Sequence, residues 1–377
     1  MPTAALTIVH VTEATSLLRE PAPHVLAAAA GLAARGHHVV LVSRPDATLA
    51  GACSEAGVVH VPMPLRHRLD LASARRLARM LDSQSADVVH AHGVAAPAVA
   101  VAASHWAPGP ALFVDVDTSF PVSWRARLVL RSRKVRRIVT GSEALRLVVT
   151  TTGRLDPARV AVVWPGVDSA PATPTPPDPP TARGRLGISV GTPVVVQVGA
   201  HLWQGWRELL HAVPAIRAQV PTVLLVIAGC ESPGQRRAVL RVVNEMGLRE
   251  AVRVLPPGVD PLVLIAASDV VVDASWAGRG FPWALARAMQ LGRPIVATSI
   301  AGAGELVEDG VSGILVPARE APTLAAAVAR LLRDADLAAG MGLAGQLRTH
   351  EEYSLATSTE RLETLYRTVL AGEATRP

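Results

Sequence analysis

Short runs of aliphatic residues recur along the chain. Each is followed by a longer stretch in which apolar positions return every three or four residues. Leu6–Val11 is the first run and reads as a strand; Pro23–Arg35 has helical period, with Gly36 as its stop. Val39–Ser43 predicts a second strand, Leu71–Asp82 a helix and Asp87–His90 a buried strand. Ala111–Val116 and Ile138–Thr140 predict further strands. Near-continuous apolar strands alternating with helices mean a parallel sheet covered on both faces.

The pattern then breaks. Ser169–Arg183 is dense in proline and almost devoid of long aliphatic side chains. Such a stretch predicts neither a helix nor a central strand, but a linker stiffened toward polyproline II. Beyond it the alternation restarts. Strands are predicted at Pro193–Val198, Val223–Ala228, Val252–Leu255, Val270–Asp273, Ile295–Thr298 and Gly313–Val316. Helices are predicted at Trp206–Arg217, Gly234–Met246, Pro282–Gln290 and Ala321–Arg333, and a last amphipathic one from about Ser358 to Leu370. The fold class is α/β, with an N-terminal domain over 1–168, a linker over 169–184, a C-terminal domain over 185–350 and a terminal helical segment over 351–377. Two doubly wound domains joined in this way predict a cleft between them, with ligands outside the carboxyl ends of the strands.

Composition narrows the picture. The chain has 377 residues, too many for one ordinary core, and half are hydrophobic, which excludes disorder. Aromatic residues make up only 3%, so the core must rest on Ala, Val and Leu. Cys53 and Cys230 lack metal-ligand spacing and read as buried free thiols in a reducing cytoplasm. No charged n-region precedes Leu6, and no apolar stretch is long enough to span a membrane, so neither a signal peptide nor a membrane span is expected. The net charge of +6 favours an anionic partner. It is concentrated in Arg125–Arg137, where seven basic residues stand without an acid. At helical spacing Leu128, Val135 and Ile138 would bury there, leaving either a solvated face or a surface for anionic lipid headgroups or an acidic acceptor. Nucleic acid is excluded for want of a reader motif and of aromatics.

An ordered set of short motifs carries a family resemblance. HVTEA opens the chain and GLAARGHHV follows; then come DVVHAH at 87–92, VTGSEALR at 139–146, WPGVD at 164–168 and VQVGAHLWQGWRELLHA at 196–212. The longest is RGFPWALARAMQLGRPIVATSIAGAGELVEDGVSGILVP at 279–317. In this order and spacing they resemble the family-4 retaining glycosyltransferases, over nearly the whole chain. The resemblance implies the GT-B architecture: two Rossmann-like domains with an inter-domain cleft and a C-terminal helix that crosses back to the N-terminal domain, burying Leu362, Leu365 and Tyr366. It implies a nucleotide-sugar donor held mainly by the C-terminal domain, an acceptor on the N-terminal side, retention of configuration, and neither metal nor cofactor.

Within that resemblance the chemistry departs from the family pattern. Two glutamates separated by seven residues, one facing the donor sugar and one the nucleotide ribose, fall on Arg279 and Arg287. A guanidinium has donors and no acceptor, so it cannot reproduce a carboxylate. The diphosphate-binding Arg and Lys fall on Ala200 and Gln204, with His201 the only nearby side chain that could carry charge. Gly205, Gly280, Phe281, Gly302, Gly304 and Glu305 complete the donor-site positions. On the acceptor side the candidates are Glu13, His24, His92, Val116 and Asp117. The glycine-rich first loop is replaced by the bulkier TSLLREPAP at 15–23. His90 and His92 are read as flanking a strand end and pointing to opposite faces, with no third ligand nearby in sequence, so no metal is expected. Trp203, Trp206, Trp276 and Trp283 fall around the expected donor pocket, to stack on a ligand or to fill its space.

The expectation is therefore a family-4-like protein of glycan or cell-envelope synthesis. One reading has sugar transfer impaired or lost, leaving a binding partner of an active transferase. The other has an active transferase with an arginine-containing donor site. Either would work in the cytoplasm or at the inner face of the membrane.

Overall fold

The computed structural model describes residues 4–14, 22–116, 123–167, 175–278 and 280–374. They form two compact units, Met1–Pro174 with Tyr353–Pro377, and Thr175–Glu352.

In the first unit the order is β1 (Thr7–Thr12), α1 (Ala22–Ala34), β2 (His38–Ser43), α2 (Ala47–Glu55), β3 (Val59–Pro62) and α3 (Leu71–Ser83). Then come β4 (Val88–His92), α4 (Ala96–Ala103), β5 (Ala111–Val116), α5 (Trp124–Leu130), β6 (Val135–Thr140), α6 (Glu143–Thr151) and β7 (Val160–Val162). The strands make one parallel sheet in the order β3-β2-β1-β4-β5-β6-β7. Alternate residues serve opposite faces. Val9, Val11, Val40, Val42 and Val89 pack toward α3 and α4. Ile8, Val39, Leu41, Val88 and Phe113 pack toward Val25, Leu26 and Leu32 of α1. Acceptor side chains start the helices: Asp46, Asp70 and Ser142 each take a first-turn N–H, those of Leu49, Ser73 and Leu145.

In the second unit α7 (Pro179–Arg185) precedes β8 (Val194–Val198), α8 (Trp206–Gln219), β9 (Leu224–Ala228), α9 (Pro233–Glu245) and β10 (Val252–Val254). Next are α10 (Pro261–Ala267), β11 (Val270–Asp273), α11 (Trp283–Gln290), β12 (Ile295–Thr298), α12 (Ala301–Leu306), β13 (Ile314–Val316), α13 (Ala321–Arg333) and α14 (Ala335–Glu352). Its parallel sheet runs β10-β9-β8-β11-β12-β13.

Helix α7 corrects the expectation that no helix forms in the proline-rich stretch. Pro179 and Pro180 occupy the first helical positions, where an N–H would go unused, and the Asp178 carboxylate accepts from the Thr181 N–H at 2.8 Å. The helix is anchored in the second unit by Arg183, whose buried guanidinium donates to Asp269 at 2.7 Å and to the Ala267 carbonyl at 3.1 Å.

A final helix, α15 (Leu355–Ala374), belongs to the first unit. Leu362, Tyr366 and Val369 are buried on the α1 face of the sheet, and Leu365 is half-buried beside them. Burial of each such side chain contributes roughly 1.5–3 kcal/mol. Glu363 fastens the helix polarly. Its carboxylate accepts from Arg35 at the end of α1 and from Arg367 at 2.7 Å. Burial alone would raise the Glu363 carboxyl, but the two guanidiniums hold it down at about 2.

The basic stretch 125–137 is not one helix. It folds as α5, a turn and β6. Leu130, Val135 and Ile138 are buried, whereas Leu128 is 65% exposed, because on α5 it lies about 200° around the helix from the inward-facing Leu130. Cys53 and Cys230 are buried and unbridged, and burial pushes both thiols up, Cys53 to about 11. Among the described residues no helix is long and apolar enough to cross a membrane.

Candidate functional site

In the second unit the family-matched residues gather where β8, β9, β11 and β12 end. The chain leaves β8 through Gly199 and makes a short turn at Leu202–Gln204 before α8. Gly205 has φ +70°, and a Cβ there would lie 1.8 Å from the Ala274 carbonyl oxygen, so only glycine fits. Ala200 is buried in the core. Gln204 turns back on its own loop. Its Oε1 accepts the His201 N–H at 2.9 Å, and its backbone carbonyl accepts from Gln197 Nε2 at 2.9 Å. The His201 ring stacks on Trp203, and its Nε2 lies 3.1 Å from a Glu231 carboxylate oxygen.

Tryptophans close the neighbouring loop. The Trp276 backbone N–H donates to the Trp203 carbonyl at 2.9 Å, and its indole N–H donates to the Leu202 carbonyl at 3.1 Å. The Arg319 guanidinium lies 4.3 Å over the Trp276 ring. Trp206 is buried in the core, and Trp283 meets Phe281 edge-on. At the end of β11, burial pushes the Asp273 carboxyl up, although the Ser275 N–H and hydroxyl both donate to it.

Gly302, in α12, packs against the segment that enters α11: a Cβ would lie 2.6 Å from the Gly280 carbonyl oxygen. Gly304 is exposed and Glu305 half-buried, with the Glu305 carbonyl accepting from Arg348 at 3.3 Å. Arg287 lies half-buried on α11 and donates to Gln290 Oε1 at 3.0 Å. Arg279 lies outside the described residues.

In the first unit Glu13 follows β1 and reaches the start of α4. Its carboxylate accepts the backbone N–H groups of Val94, Ala95 and Ala96, the last two at 2.9 and 3.1 Å. It neutralises donors that a helix start leaves unpaired. His24 is half-buried in α1, and Val116 half-buried at the end of β5. Asp117 and residues 15–21 of the first loop lie outside the described residues.

The histidines contradict the expectation of opposite faces. Residues two apart in a strand share a face, and β4 extends through His92. Register adds a third ring, because His10 of β1 pairs with His90, and Thr12 with His92. His10, His90 and His92 are all buried, with ring centroids 4.2–5.6 Å apart. His10 Nδ1 lies 2.9 Å from His92 Nε2; His92 Nδ1 lies 3.2 Å from Asp115 Oδ2; His90 Nδ1 lies 2.7 Å from the Tyr366 hydroxyl. A carboxylate only accepts, so His92 carries its proton on Nδ1 and offers its Nε2 lone pair to His10. Burial, and then the neighbouring rings, hold His10 and His90 well below the usual imidazole range, so both are neutral. Sequence reading missed this cluster. Its signal was the His-Ala-His spacing on one strand face together with a histidine in the adjacent strand.

Comparison with known proteins follows the same division. Residues 22–170 match the family model described as Glycosyltransferase Family 4, and residues 192–334 that described as Glycosyl transferases group 1. The D-inositol 3-phosphate glycosyltransferase of Mycobacterium tuberculosis is 32% identical over 206 residues. That match spans 52% of this chain and 41% of the relative, less than half of the relative's length. A glycosyltransferase from Rickettsia africae superposes with a TM-score of 0.82 at 18% identity, over 98% of this chain and 99% of that one. Anabaena HepE, crystallised with UDP and glucose, superposes with a TM-score of 0.77 at 20% identity, over 96% and 100%. At these identities the structural likeness shows the fold: two Rossmann-like domains of GT-B type.

Proposed function

This chain belongs to the family-4-like glycosyltransferases of GT-B fold, and from that premise we propose that it has an impaired or lost capacity for sugar transfer and acts as a binding partner of an active transferase in glycan, glycolipid or cell-envelope synthesis. One observation carries this reading. The positions matched to the diphosphate cations hold a buried Ala200 and a Gln204 whose side-chain oxygen is bonded within its own loop. The nearest ionisable ring, His201, faces the Glu231 carboxylate, which would repel a diphosphate. Without each such cation, diphosphate binding weakens by about 1.5–3 kcal/mol, and the deficit in the transition state adds to it.

The second reading keeps the enzyme active. Arg287, with Arg279, would take over the phosphate role, for which guanidinium is suited. The half-burial of Arg287 on α11 favours it. UDP is the nucleotide to try first, since HepE binds it. An anionic acceptor of the inositol phosphate kind, or a lipid-linked one approached through Arg125–Arg137, would suit the chain's positive charge.

Calorimetric titration with uridine, UDP and UDP-glucose separates the two. No binding of any nucleotide at millimolar concentration is the expected result. Tight UDP binding that Arg279→Ala or Arg287→Ala weakens at least tenfold, with uridine unaffected, would overturn it. On the favoured reading Arg287→Glu alone yields no turnover, because positions 200 and 204 still lack cations.

A further inference from the structure

The buried polar cluster of the first unit has no part in the donor-site reading, and its atoms are incompletely satisfied. Among the described residues, His10 Nε2 and His90 Nε2 are buried without a hydrogen-bond partner. An unmet buried polar atom costs about 1–3 kcal/mol, and the unmet His90 Nε2 belongs to a ring whose centroid lies 4.2 Å from that of His92. One ring nitrogen from each of His10, His90 and His92 can be chosen so that all three lie within 4.8 Å of one another.

We propose that His10, His90 and His92 form a site for one divalent transition-metal ion of the zinc class. The donor set fits. Imidazole nitrogens bind Zn²⁺ at about 2.0–2.1 Å, which places two ligands of a tetrahedral site about 3.3 Å apart. His10 would bind through Nδ1, whose 2.9 Å from His92 Nε2 needs only a few tenths of an ångström of opening, and its unmet Nε2 would keep the ring's proton. The ion would replace the proton that these two rings now share. Three imidazoles and no thiolate select zinc, cobalt or nickel over magnesium or calcium, which take oxygen ligands.

Two of the three rings have the outer partner that a metal-binding histidine needs. Ligating rings hold their other nitrogen on a carboxylate or another oxygen, which fixes the tautomer and raises the basicity of the ligand. His92 has Asp115 at 3.2 Å and His90 has the Tyr366 hydroxyl at 2.7 Å. Register alone brings Asp115 beside His92, because His90 pairs with Phe113 and the two strands run parallel. The Asp115 side chain is 26% exposed, so the ion would enter from the carboxyl ends of β4 and β5. Tyr366 lies on α15, and the ion would therefore couple sheet chemistry to the docking of that helix.

The test uses the full chain, untagged and stripped with a chelator. Titration with Co²⁺ should give one equivalent bound, with the visible absorption of a low-symmetry nitrogen site, and Zn²⁺ should displace it. The melting temperature should rise with Zn²⁺ concentration, as it does for any ligand specific to the folded state. His92→Gln and His10→Gln should each weaken binding more than a hundredfold. Because buried substitutions can unfold the unit, Asp115→Asn and Tyr366→Phe provide milder variants. Each should lower affinity about 10–100-fold while the chain stays folded without metal. The site would be overturned if the wild type takes up no Co²⁺ at 1:1 stoichiometry. It would equally be overturned if the histidine variants or the two milder variants bind Co²⁺ as tightly as the wild type, for the ion would then sit on surface histidines.

Discussion

Counted from one edge, both sheets run third, second, first, fourth, fifth and sixth strand, the first adding a seventh, yet their strand ends carry different chemistry. In the first unit they present imidazoles and carboxylates: His10, His90, His92, Asp115 and Glu13. In the second unit they present Ala200, an inward-turned Gln204 and tryptophans whose indoles bond or stack onto the loops themselves. Winding decides where side chains can converge. It does not decide whether they reach for a ligand or for each other. Among the described residues both units leave buried nitrogens unmet, His10 and His90 in the first and Trp206 and Arg293 in the second, but only in the first do they belong to rings clustered together.

The largest test of that contrast falls on the second unit's loop. Gly205→Val places a branched side chain at φ +70° and against the Ala274 carbonyl. Strain and overpacking together should destabilise the unit by about 3–5 kcal/mol. Hydrogen exchange should register the loss in β8 and β11 and leave β1 and β4 protected.

A smaller effect tests what holds the first unit together. Glu363→Gln should cost that unit about 2 kcal/mol at pH 7, read from thermal melts. The carboxyl is depressed from its ordinary 4.5 to about 2. Its contribution is therefore complete above pH 4.5 and disappears as pH falls toward 2. The gap between wild type and variant should close over that window. A gap that persists at pH 2 would mean that packing, and not charge, sets the difference.

Smaller still, Gln204→Ala removes the acceptor for the His201 N–H. Stability should fall by about 1 kcal/mol in thermal melts, because the side chain serves the loop. An unchanged melting temperature would mean that Gln204 is not spent on its own loop and would erase the contrast between the units. The smallest change comes from Leu128→Ala on exposed α5, expected within about 0.5 kcal/mol of wild type. A larger effect would reveal a partner on the basic face.

Much of this fold was readable because strands buried on both faces announce themselves as aliphatic runs, as Val194–Val198 and Val270–Asp273 do. Helix α14 was harder: Ala335–Glu352 is rich in alanine and glycine and has no strong apolar stripe. Helix α7 was missed because proline density was weighed without its Asp178 cap. Motif spacing picked out the positions matched to the family's donor site, but not how Gln204 bonds, since a rotamer leaves no trace in spacing. The histidine cluster depends on pairing between residues 80 apart, which no local window contains. The shared face of His90 and His92 was local, and the period-two rule already implied it.

Helix α15 gives the chain an unusual order of assembly. The first unit's sheet is complete once residue 162 has been made, but Leu362, Tyr366 and Val369 come some 200 residues later, after the whole of the second unit. At ordinary translation rates that interval is about 10–40 s. During it the part of the α1 face that α15 will cover lacks its cover, while the second unit, contiguous in sequence, can close its core as it emerges. The ribosome thus delivers the inner module before the outer one is sealed.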